Sequence, residues 1–143
     1  MPLLSAQDRQ ALTKHLEPIA KKVELLLFTQ TIGGSESGLI ARQVVDEVAS
    51  LNDKIAVVDK SFVLDTEDRA KYGVDKAPAV VVLGDGADTR MRFFGANTGY
   101  EFVSLVEAVL LAGTGNLELE PESVAALAAV DTPMHIQVFS TPT

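Results

Sequence analysis

The run from Val23 to Phe28 constrains this chain more than any other feature, because a helical pattern and a second apolar run, Ile55-Ala56-Val57-Val58-Asp59, follow it. A segment that short and that apolar reads as a central strand covered on both faces. Between the two runs, Leu39, Ile40, Val44, Val45 and Val48 recur at helical spacing over roughly Ser37 to Ser50. Strand, helix and strand in that order predict two parallel strands joined by a right-handed crossover.

Further elements flank this unit. Ser5 is a good N-cap with Asp8 three residues on, and Ala11, Leu12, Leu16 and Ile19 mark one helix face. Pro18 should end or bend that helix, because it cannot donate to the preceding turn. Thr66 to Tyr72 predicts a short helix, capped by Thr66 and closed by Gly73. Ala79 to Leu83 and Arg90 to Phe94 flank Gly84-Asp85-Gly86-Ala87-Asp88, which has the turn chemistry of a hairpin. A last strong helix is expected from Tyr100 to Ala112. The order α-β-α-β-α-β-β-α predicts an α/β fold with a four-stranded mixed sheet and helices on both faces.

Composition narrows the function. A chain of 143 residues can bury roughly 70% of its unfolded surface, so it needs no disulfide or metal to fold. Twenty acidic against twelve basic residues, a net charge of −8, argue against nucleic acid as a partner, since phosphate binding needs a basic face. The start, Met1-Pro2-Leu3-Leu4-Ser5, has neither the basic nor the apolar region of a signal peptide. The apolar stretches at Ala77 to Leu83 and Leu105 to Ala112 fall short of the ~20 residues that cross a bilayer. No membrane association is expected, and the cytoplasm is the expected location. There is no cysteine, so thiol chemistry is excluded for these residues alone.

The last residues echo the first. Leu117 to Ala129 reads as a loop and helix, and Pro133 precedes an expected strand, Met134-His135-Ile136-Gln137-Val138-Phe139. With Phe139 laid over Phe28, Ser140-Thr141 falls on Thr29-Gln30, and the second copy stops at Thr143. A lone helix and strand cannot bury their apolar faces, so residues 115–143 read as the opening of a second unit after a first at 1–114.

Three segments then point to a family. They are the strand ending at Phe28, the Ala77-Pro78 turn before Ala79, and Arg92-Phe93-Phe94-Gly95 through Gly99-Tyr100-Glu101-Phe102. Together they resemble the tandem glutaredoxin-like and thioredoxin-like protein disulfide oxidoreductases. That group includes the N-terminal domain of the F component of alkyl hydroperoxide reductase, AhpF. The last segment is similar to a Phe-x-Gly…Gly-His-Glu-Phe motif, with Tyr100 in place of histidine. The resemblance implies a thioredoxin-like fold and puts Gly34 and Ser37 where a Cys-x-x-Cys pair would lie. Gly34, Ser35, Glu36 and Ser37 then form a vestigial redox loop, with Pro78 as the facing cis-proline. It also implies a second unit opening with a Thr-Pro-Thr-like turn and Cys-Pro-x-Cys, beginning where Ser140-Thr141-Pro142-Thr143 stands.

The resemblance makes this chain a redox-inactive scaffold half of a thiol-disulfide relay, which could serve peroxide reduction. It implies a second thioredoxin-like unit, a protein disulfide or a peroxiredoxin as partner, and no cofactor. A homodimer through the exposed tail strand is a further expectation. A stand-alone module holding an extended peptide at the Pro78 edge is the alternative. Glu101, at the start of a helix, is favoured there by the macrodipole, and the resemblance suggests it relays protons to a second unit's cysteines.

Other candidates are weaker. An anion could rest on the amides beside Ser37, but no P-loop lysine follows. The hydrolase pattern Gly-x-Ser-x-Gly fails around Ser35. His15 and His135 lack a second ligand at metal spacing, Asp85 and Asp88 read as turn residues, and Asp46 and Glu47 as a solvated helix face.

Overall fold

A computed structural model of the chain describes residues 3–30 and 32–140. Its elements run α1 (Ala6–His15), β1 (Val23–Thr29), α2 (Glu36–Ala49), β2 (Ile55–Ser61), α3 (Thr66–Tyr72), β3 (Ala79–Gly84), β4 (Ala87–Phe94), α4 (Tyr100–Thr114) and α5 (Pro121–Ala128). The four strands form one sheet in the order β2-β1-β3-β4. β1 pairs β2 in parallel from Val23↔Ile55 to Thr29↔Ser61, and β1–β3 and β3–β4 are antiparallel.

Alternation along the inner strands builds two cores. Val23, Leu25 and Leu27 of β1 and Val80 and Val82 of β3 face α2 and α4, where Val44, Val45, Val48, Leu105 and Val109 cover them. Leu26 and Phe28, with Ala79, Val81 and Leu83, face the other way, under Tyr72 at the end of α3 and Val74. Both inner strands are thus buried on both faces, the condition that makes their sequences uniformly apolar.

Several local expectations meet corrections. α1 ends at its C-cap Leu16, before Pro18, and the Ser5 hydroxyl accepts from the Asp8 amide at 3.1 Å as a cap should. The cap of α3 is Asp65 instead of Thr66, and its carboxylate accepts the Ser61 amide, folding the chain back after β2. β4 begins at Ala87, three residues before the expected Arg90. Asp85 and Gly86 both take positive φ, which makes the tight turn, and Arg90 at φ 66° marks an irregularity in the register between Val81 and Leu83. α4 runs to Thr114 and closes on left-handed Gly115, two residues past expectation. Glu47 does not lie on a solvated face. Its side chain is only 11% exposed and takes the Arg9 guanidinium at 2.8 Å, tying α1 to α2.

The largest departure is in the tail. α5 forms but buries none of its residues, and residues 134–139 form no strand. A strand is a property of a pair, and no neighbouring edge takes up these residues, so Ile136 and Phe139 stand 81% and 89% exposed. Thr31 and the Thr141-Pro142-Thr143 turn of the expected second unit lie outside the described residues.

Candidate functional site

The parallel pair, β1 and β2, sets the position of the site. Both strands finish together at Thr29 and Ser61, and the Phe62 amide donates to the Thr29 carbonyl at 2.9 Å. β3 starts at that same end, because Ala79 pairs Phe28, and β4 finishes there, because Phe94 pairs Ala79. The loop after β1, the Pro78 turn before β3 and the first turns of α2 and α4 therefore converge on one end of the sheet.

Gln30, Gly34, Ser35, Gly38, Ala77 and Pro78 line a shared cleft there. Its volume is about 20 Å³, space for about one water molecule. The Ala77–Pro78 peptide bond is cis, and Pro78 is buried with its carbonyl accepting the Gly95 amide at 3.0 Å. That bond ties the proline turn to the end of β4, so Pro78 belongs to the floor of the cleft and not to an open strand edge.

Gly34 is held tightly. A Cβ there would lie 2.1 Å from the Gln30 carbonyl oxygen, closer than any real contact. Gly33 adds a positive φ of 71°. A side chain at position 34 thus demands that the loop backbone move. Ser35 and Ser37 form a mutual hydroxyl hydrogen bond, and Ser35 gives α2 no side-chain cap. No histidine lines this cleft. Without a base to deprotonate them, two hydroxyls paired with each other have no nucleophilic chemistry.

Glu101 lies exposed in the first turn of α4, next to exposed Tyr100. The loop leading to it turns on Asn97, which is buried, has φ 55°, and donates from Nδ2 to the Gly95 carbonyl at 3.3 Å. Sequence reasoning passed over Asn97. Its signal was an Asn between two glycines in a segment too short to turn without left-handed residues.

Most of the weaker candidates are engaged elsewhere. His15 Nε2 meets Glu107 Oε1 at 2.8 Å, joining α1 to α4, and His135 is in the exposed tail. Asp85 accepts the Lys22 amide at 3.2 Å. Asp88 holds the Arg92 guanidinium in a two-point pair at 2.8 and 2.7 Å, and this cation holds its carboxyl down at about 2. The Arg92 Nε also donates to the Tyr72 carbonyl at 2.9 Å, which ties β4 to α3. Among the described residues no group of three or more His, Asp or Glu could hold a metal ion. No helix of the described residues is long and apolar enough to cross a membrane.

Comparison with known proteins agrees with this architecture. No protein-family model matches the chain. The alkyl hydroperoxide reductase AhpF of Staphylococcus epidermidis is 25% identical over 138 residues, 96% of this chain and 24% of that protein. The chain thus spans about a quarter of the length of its curated relatives. The crystal structure of the N-terminal domain of Enterococcus faecalis AhpF superposes with TM-score 0.77 and 32% identity, covering 83% of this chain and 57% of that one. A protein disulfide oxidoreductase from Aeropyrum pernix shares the fold at TM-score 0.74 and 20% identity, over 87% of this chain and 54% of that one.

Proposed function

The chain is a homologue of the N-terminal domains of the alkyl hydroperoxide reductase AhpF, with the thioredoxin-like fold and no cysteine, and from this we propose that it is the redox-inactive first half of a tandem thiol-disulfide relay. In this reading electrons pass through a Cys-x-x-Cys pair on a second unit, towards a disulfide or peroxiredoxin partner. Residues 1–114 position that unit, and residues 115–143 begin it.

The observation that carries the proposal is the loop facing Pro78. What supports it is that Gly34, which the resemblance puts at a thiol position, lines the cleft with Pro78 and would take a Cβ only if the Gln30 carbonyl moved.

The tail supports the second half of the proposal. Met134, Ile136 and Val138 alternate with His135 and Gln137, and all are exposed. Such a segment has the pattern of a strand but lacks a partner edge. A following unit would supply both its neighbours. Glu101 would then act as a proton relay only if that unit brings its cysteines to the exposed first turn of α4.

Hydrogen exchange on Ile136 to Phe139 tests this. In the chain as it stands these amides should exchange at solvent rates. In a fusion to the second thioredoxin-like unit of an AhpF relative they should become strongly protected. Slow exchange in the unfused chain would instead favour a self-contained module whose tail packs on its own domain. In that fusion Glu101→Gln should slow reduction of a disulfide substrate by dithiothreitol about 10-fold or more and alter its pH profile. An unchanged profile would leave Glu101 with its helix-terminal role alone.

A further inference from the structure

The sheet has two outer edges, β2 and β4, and each leaves backbone groups with no strand beside them. β4 is guarded. Its ladder with β3 is irregular between Val81 and Leu83, Arg90 takes φ 66°, and Asp88 and Arg92 pair across the irregular stretch. Bulges and charges of this kind keep another strand off an edge. β2 has no such guard, since it pairs β1 in unbroken register over seven residues, Ile55 to Ser61.

The hydrogen bonds at the two ends of β2 fix which of its peptide groups face outward. Val23 donates to the Lys54 carbonyl at 2.9 Å, and Phe62 donates to the Thr29 carbonyl at 2.9 Å. Even-numbered residues of β2 therefore turn their backbone towards β1, and odd-numbered ones turn it away. Of the outward residues, Ile55 spends its amide on the Asn52 carbonyl at 3.1 Å. Ser61 gives its amide to the Asp65 carboxylate, and its carbonyl accepts the Asp65 amide at 2.9 Å. Among the described residues, Val57 and Asp59 then keep both amide and carbonyl free on that side. Charges along the edge are neutralised within the chain: Asp59 pairs Arg42 of α2, and Lys60 pairs Asp68 at 2.6 Å.

We propose that β2 is an interface between two copies of this chain, paired antiparallel about a two-fold axis through Val58. Val57 of each copy lies opposite Asp59 of the other, and the two exchange amide and carbonyl. The residues left free are the pair that such an axis exchanges, so one edge supplies all that its copy needs. Val58 meets its own counterpart where side chains approach closely, and Ala56 lies opposite Lys60, so no like charges face each other. An interface this small gives a weak dimer. The contact makes no use of the exposed tail and does not rest on the relay reading.

Amide spectra of the 15N-labelled chain, recorded from about 0.05 to about 1 mM, test this. The Val57 and Asp59 amides should shift with concentration, and the diffusion coefficient should fall as dimer forms. Val58→Cys adds a check of register in a chain with no other thiol. Two copies of that residue would have Cα atoms about 4.5 Å apart, close enough for a disulfide, whereas two copies of Ala56→Cys would be roughly 14 Å apart. Air oxidation at the upper concentration should link the Val58→Cys variant about 10-fold or more faster than Ala56→Cys. Unchanged spectra at every concentration, shifts confined to β4 or the tail, or equal crosslinking of the two variants would overturn the proposal.

Discussion

Gly34 and Gly38 are four residues apart in one loop and helix, yet a methyl group should act oppositely at each. At Gly34 it would strike the Gln30 carbonyl, whereas at Gly38 it would meet nothing within 4 Å on a helical backbone. Gly34→Ala should therefore cost about 1–3 kcal/mol. Gly38→Ala should add about 0.5–1 kcal/mol through the unfolded state. Urea denaturation of the two variants measures both signs. Asp88 supplies a pH-dependent effect. Its folded carboxyl sits at about 2 against 3.8, so the Arg92 pair contributes stability that is complete above pH 4 and fades as pH falls through about 2. Asp88→Asn should flatten the stability curve in that window and leave it parallel to the parent above pH 5. None of this was visible in the sequence, because a glycine in a loop looks the same whether a carbonyl or open solvent lies beside it.

The strands and helices were legible where their pattern is local. β1 and β3 announced themselves as apolar runs because both of their faces are buried, and the hairpin did so through Asp85-Gly86. What stayed hidden depends on contacts between elements. Glu47 was read as solvated because its helical position is polar, but α1 reaches across with Arg9 and covers it. α1 buries no residue fully, so that contact, the His15–Glu107 pair, half-buried Leu12, and Leu16 and Ile19 just beyond the helix together hold it in place. Arg9→Ala should cost about 1–3 kcal/mol by leaving a mostly buried carboxylate without its cation. The loss should appear as faster hydrogen exchange in α1 while β1 and β3 keep their protection. The strand at 134–139 failed for the same reason in reverse: its pattern was read correctly, but pairing is a long-range event that six residues do not specify.

The sheet, its two cores and the loop facing Pro78 have the thioredoxin-like fold, and α5 and residues 130–140 after it are exposed. Fold and candidate site both derive from one arrangement, in which β1 and β2 end together and Pro78 turns back beside them. On the proposed reading the chain is a thioredoxin-like unit without cysteine, whose loop facing Pro78 holds a glycine at position 34 that takes no Cβ without a backbone shift. Insulin reduction by dithiothreitol, followed by turbidity, tests that claim most directly. The chain alone should leave the rate at its uncatalysed value. The same chain continued by a relative's Cys-x-x-Cys unit should accelerate it, and more than that unit does without residues 1–114. Catalysis by the chain alone, or equal rates with and without the first unit, would contradict the account.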